Sequence, residues 1–145
     1  MSNLPHVSKR LDPFPVQDPY HGIYAHAVET RAGARTVRIS GQVGVAPDGQ
    51  LASGFDGQCR QALANIEAVL HAANMTFTDI VKMTFFLVRR DDMDALVHVR
   101  KALLDGVRPA ITTVFIAMAG DRRRSIRSNE DAPELTNPFF RSAVS

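Results

Sequence analysis

Between Asp56 and Ala73 the apolar residues Ala62, Leu63, Ile66, Val69, Leu70 and Ala73 recur at steps of three and four, the spacing that lines one face of an α-helix. Asn74 follows as a C′ residue, because asparagine tolerates the left-handed backbone on which helices end. The period then changes. From Ile80 to Val88 β-branched and aromatic residues dominate, which predicts a central strand covered on both faces. A second helix opens with Asp91 as N-cap, with Asp92 and Asp94 in the first turn, where the helix dipole favours acids. Its apolar stripe is Met93, Leu96, Val97, Leu103 and Leu104, and it stops near Asp105-Gly106. Beyond Pro109, the run from Ile111 to Met118 predicts a last strand.

Upstream, Ile23 to Thr30 is strand-like, Arg31-Ala32-Gly33-Ala34 offers a turn, and Arg35 to Val45 places Val37, Ile39, Val43 and Val45 on one face. The pair predicts a β-hairpin. Pro47-Asp48-Gly49 is a further turn, in which proline sets φ, aspartate bonds the following backbone and glycine accepts positive φ. Residues 1–20 carry Pro5, Pro13, Pro15 and Pro19 without periodicity and read as an extended N-terminal arm. Residues 21–120 form the domain. Residues 121–145, polar over most of their length, read as an irregular tail that Phe139 and Phe140 could pin to the surface. The fold class is α+β: a mixed sheet with both helices on one face, since each helix has the length of a parallel crossover. The other face would carry Phe86, Val88, Val114 and Ile116, too apolar to leave wet, so self-association is expected to cover it.

Composition narrows the function classes. With 145 residues, 45% hydrophobic and 22% charged, the chain is of single-domain size and ordinary globular usage. It has no apolar run of spanning length and no apolar stretch near its start, so membrane and export readings are not supported and a cytoplasmic protein is expected. The net charge is +2, with the basic excess gathered at Arg122, Arg123, Arg124 and Arg127. Lacking interleaved aromatics, that cluster reads as a solvated loop and not as a nucleic-acid site. Cys59, the single cysteine, has no disulfide partner and reads as a half-buried helix residue. His21 and His26 flank Tyr24 with no third ligand in view, so no metal is expected.

Three segments in order, Ile39-Ser40-Gly41-Gln42, then Gln61 to Leu70 (QALANIEAVL), then Asp79 to Leu87 (DIVKMTFFL), resemble the RidA/YjgF family, also labelled endoribonuclease L-PSP, over about Ile23 to Ala117. The resemblance implies a chorismate-mutase-like fold, a homotrimer with small-molecule clefts between subunits, and hydrolysis of reactive 2-imino acids to 2-keto acids and ammonia with no metal or cofactor. In that family an arginine in a Pro-Ala-Arg motif grips the substrate carboxylate as a bidentate fork. Here the motif reads Pro109-Ala110-Ile111-Thr112-Thr113, and isoleucine offers neither charge nor hydrogen bond. Losing such an anchor costs on the order of 2–5 kcal/mol, so 2-iminobutanoate and 2-iminopropanoate are expected to be poor substrates. The family's glutamate in a closing Ile-Glu-Ile-Glu-Ala strand also lacks a counterpart, Glu130 and Glu134 being near it only in sequence.

The ligand-binding residues carried over are Tyr24, Ser40, Gly41, Thr112 and Thr113, with Ile111 as an apolar wall and Arg108 as the nearest alternative cation. Each has a plainer reading. Tyr24 is by default a packing residue with a wet hydroxyl, and Ser40 a hydroxyl bonded within the sheet. No residue is assigned a catalytic role. Three readings of function stand: a hydrolase of an imine- or enamine-like metabolite, a non-catalytic trimer that binds a metabolite or a protein, and, with the least support, a ribonuclease or translation inhibitor.

Overall fold

A computed structural model of the protein describes residues 8–12, 22–116 and 139–144. Along these residues the elements are β1 (Ser8–Leu11), β2 (Ala27–Thr30), β3 (Val37–Gln42), α1 (Gly54–Ala72), β4 (Ile80–Leu87), α2 (Met93–Leu103), β5 (Ala110–Phe115) and β6 (Phe139–Val144). A four-stranded sheet runs β3-β6-β4-β5, and β1 pairs with β2 as a separate ribbon. The connection β4-α2-β5 joins parallel neighbours, with Met83 opposite Ile111 and Phe85 opposite Thr113. β6 is antiparallel to both β3 and β4, so the α1 crossover also joins strands of one direction, with β6 between them.

Two expectations are corrected here. The predicted hairpin does not pair with itself: the turn forms, with Ala34 N–H donating to Arg31 O at 3.2 Å, yet β2 pairs antiparallel with β1 and β3 with β6. Alternation identifies a strand but not its partner, and the partners came from segments where no strand was read. The irregular tail likewise ends in β6, whose sequence Phe-Phe-Arg-Ser-Ala-Val is short and has weak alternation. The cluster at Arg122–Arg127, Glu130, Glu134, His21 and the expected strand end at Ala117-Met118 lie outside the described residues.

One core holds the domain together. Cys59, Ala62, Leu63, Ile66 and Leu70 of α1, Leu96 and Val99 of α2, Met83, Phe85 and Leu87 of β4 and Ile39 of β3 belong to a single buried cluster, so both helices cover one face. Val69 and Leu103, read as part of the stripes, are instead 38% and 40% exposed, at the margins of the apolar arcs. Asn74 takes φ of 56° after α1, as expected of a C′ asparagine. The N-cap of α2 is Asp92, one residue later than expected, because a 3-10 turn over Arg90–Asp92 absorbs Asp91. At the Pro47 turn, Asp48 Oδ1 accepts from Gln50 N–H at 2.9 Å, and Gly49 has φ of +83°.

The face away from the helices carries Lys82, Thr84 and Phe86 of β4 against Ala110, Thr112 and Val114 of β5. Val114 is 37% exposed and Phe86 half-buried. Between β3 and α1 the chain passes very close to the helix: a Cβ at Gly44 would stand 2.4 Å from Gln58 Cα, so only glycine fits there.

Candidate functional site

The site is assembled at the start of β5. Ala25, 1% exposed, forms a parallel bridge to Ala110, and its N–H donates to Pro109 O at 3.0 Å. This lays Ile23 and Tyr24 beside β5. Strand alternation sends Ile111 and Phe115 toward the core, and Thr113 lies between them on the same face. Tyr24, Ile111 and Thr113 therefore share one cavity of about 270 Å³ with Ile23 and with Met93, Leu96, Val97 and Arg100 of α2. The Tyr24 ring is braced edge-on by His26, with centroids 5.7 Å apart.

The other expected residues are placed elsewhere. Thr112 faces the opposite side of the sheet, where its hydroxyl accepts a 2.6 Å hydrogen bond from Lys82 Nζ. Ser40 and Gly41 sit in an irregularity of β3 between Ile39 and Gln42. β3 is three strand positions from β5, roughly 14 Å at about 4.8 Å per step, so one chain does not bring Ser40 and Gly41 to Ile111. The stretch after them is held by Asn65, whose Nδ2 donates to the carbonyls of Val43 and Val45 at 3.1 and 3.0 Å. That role of Asn65 on the α1 face was not read from the sequence.

Arg108 does not stand free as a replacement anchor. Its Nη2 donates to Asp12 Oδ2 at 2.6 Å and to Tyr24 O at 3.2 Å, while its own carbonyl accepts from Arg10 Nε at 2.9 Å. It ties the segment carrying β1 to the Tyr24 stretch. Asp12 also accepts from His26 N–H at 2.8 Å. That bond first, and the Arg108 charge beside it, hold the Asp12 carboxyl below its usual range against partial desolvation.

Arg100 is the cation that sequence reasoning passed over. It is 5% exposed, its Nη2 donates to Ile23 O, and its guanidinium lies 5.1 Å from the centroid of the Phe85 ring. Its Nε is buried without a hydrogen-bond partner, and no carboxylate pairs with it among the described residues. Burial pushes its pKa down to about 10, which leaves it charged at neutral pH. The signal was in the pattern: position 100 continues the stripe of 93, 96 and 97, so an arginine there points inward. Cys59, by contrast, is an inert core residue. It is fully buried, and burial pushes its thiol up to about 12, far from a reactive thiolate. Among the described residues no group of three or more metal-ligating side chains exists, and no helix is long and apolar enough to cross a membrane.

Comparison with known proteins agrees with this architecture. The family model described as "Endoribonuclease L-PSP" matches residues 17–123. A mouse protein named 2-iminobutanoate/2-iminopropanoate deaminase is 32% identical over 123 residues, covering 83% of this chain and 87% of its own. Among solved structures, RidA from an Antarctic Psychrobacter superposes with a TM-score of 0.63 at 29% identity, covering 87% of this chain and 90% of its own. A Rid-family protein of unknown function from Yersinia pestis superposes with a TM-score of 0.74 at 19% identity, covering 95% and 98%, a likeness of fold. With the sheet order, the Ser-Gly irregularity of β3 and the Tyr24 cavity in place, this chain belongs to the RidA/YjgF family of endoribonuclease L-PSP-like proteins.

Proposed function

We propose that the protein works on a small imine- or enamine-like metabolite in the imine-deaminase manner of its relatives, but handles 2-iminobutanoate and 2-iminopropanoate poorly. The reaction class is hydrolytic: water adds to the C=N carbon, and the resulting carbinolamine expels ammonia to leave a carbonyl. In this reading the hydroxyls of Tyr24 and Thr113, two of the residues lining the cavity, orient water or ligand. The observation that carries the reading is the shared cavity: Tyr24, Ile111 and Thr113 line it together, so a pocket is kept, while isoleucine takes the place at which the resemblance puts the carboxylate-binding arginine. Homotrimer formation belongs to the same proposal, because within one chain Ser40 and Gly41 lie several strands from that cavity.

Non-catalytic binding of a metabolite is the second reading. It is favoured by one feature: among the described residues lining the cavity there is no aspartate, glutamate or histidine to serve as acid or base. The test is a coupled assay of ammonia release from freshly generated 2-iminobutanoate, on the parent protein and on Ile111→Arg. The expected result is a parent near the spontaneous rate and a gain in the variant. Brisk turnover by the parent would overturn the proposal, and silence in both, with any substrate tried, would favour binding alone. In solution the mass should be three times the 15.9 kDa of one chain, measured by sedimentation.

A further inference from the structure

We infer that Arg100 is the anion-binding residue of the Tyr24–Ile111–Thr113 cavity, and that its ligand is a small monocarboxylate with an apolar side chain. This rests on the proposed use of the cavity and names the ligand class it takes. The argument starts from the cost of the residue. An arginine 5% exposed on the inner side of a helix gives up its hydration, and proteins ordinarily recover that with a carboxylate partner. Here the described residues supply only the Ile23 carbonyl and the face of Phe85. One N–H is left buried without an acceptor, although a guanidinium has five donors in a fork that fits a carboxylate.

The lining of the cavity selects the rest of the ligand. Ile23, Met93, Leu96, Val97 and Ile111 form apolar walls, with Arg100 the only ionic group among its described lining residues. A single cation in an apolar chamber of about 270 Å³ suits one negative charge on a short aliphatic body. A dianion such as phosphate would keep half its charge uncompensated in a poorly hydrated place. The charge has in effect moved from the strand to the helix: Ile111 on β5 and Arg100 on α2 line the same cavity. A carboxylate bound to Arg100 therefore approaches from the other wall, which accounts for expecting altered substrates and not merely a lost site.

The test uses the parent chain first. Binding of 4-methyl-2-oxopentanoate is measured by calorimetry beside its neutral counterpart without the carboxylate, 4-methyl-2-pentanone, and both are repeated on Arg100→Gln and Arg100→Lys. The expected result is a preference of roughly tenfold or more for the acid in the parent, lost in Arg100→Gln and partly kept in Arg100→Lys. Equal binding of the two probes, no binding of either, or a preference that survives Arg100→Gln would each overturn the assignment. Should Arg100→Gln not fold, the comparison of acid with ketone on the parent still decides. Ammonia release is read separately, so a protein that binds the acid through Arg100 but hydrolyses no imine would sink the proposed function and leave this inference standing.

Discussion

The two crossovers of this sheet are alike in length and direction but are packed for different ends. In the first, β3-α1-β4, the helix buries Cys59, Ala62, Leu63, Ile66 and Leu70, and the connection approaches so closely that Gly44 has no room for a methyl group. In the second, β4-α2-β5, the helix buries Leu96 and Val99 but also a charged residue, Arg100, and leaves a cavity between itself and β5. A close-packed interior tolerates neither an empty space nor an unpaired charge without a cost in stability. A groove of similar volume also lies beside α1, lined by Arg60, Leu63, Ala64, Glu67, Phe77 and Leu103, so what sets the second crossover apart is the charged side chain that α2 carries into the interior.

The sharpest way to break that contrast is to truncate matched core residues. Ile66→Ala, in the dense half, should cost about 3–5 kcal/mol in urea unfolding, whereas Leu96→Ala, whose side chain already borders the cavity, should cost nearer to about 2 kcal/mol, since fewer contacts are lost there. Equal costs would mean the halves are packed alike. Gly44→Ala comes next. Its Cβ would meet the backbone of Gln58 at 2.4 Å, and overpacking against an atom that cannot turn away should cost about 1–3 kcal/mol.

Arg100→Met has a smaller expected effect on stability and is the more informative. If the guanidinium is buried for a ligand, an apolar side chain of similar reach should leave the ligand-free protein unchanged or stabilise it by up to about 2 kcal/mol. A loss larger than that would make Arg100 a structural tie to Ile23. The smallest effect lies outside both crossovers, at the Asp12–Arg108 pair. Because the folded Asp12 pKa lies below its unfolded value of 3.8, its contribution is present above that value and lost as pH falls through the folded pKa. Hydrogen exchange at β1 should therefore quicken below about pH 3.8 in the parent, and an Asp12→Asn variant should lack that pH step.

Much of this contrast is legible in the sequence, and the reasons for what is not are physical. Three- and four-residue spacing located both helices, and β-branched density located β4 and β5, because burial of one face imposes those periods. Pairing partners were not legible: β1 and β6 are short, and a strand's register depends on distant segments. Tyr24, Ile111 and Thr113, to which the family resemblance points, line one cavity. Thr112 does not, since neighbours on a strand face opposite ways. Arg108 is the cation nearest along the chain to the Pro109-Ala110 motif, yet distance along the chain says little across a helix-to-strand turn. The stripe position of Arg100 was the better guide.

In the proposed use of this cavity, the charge that grips the ligand stands on α2 in place of β5. Ammonia release from 2-iminobutanoate tests it most directly when the parent is compared with Arg100→Met and with the double variant Arg100→Met/Ile111→Arg, which returns the charge to the strand. The expected outcome is a parent and single variant near the spontaneous rate and a double variant at least roughly tenfold above it. A parent that releases ammonia rapidly, at a rate that Arg100→Met does not change, would contradict it.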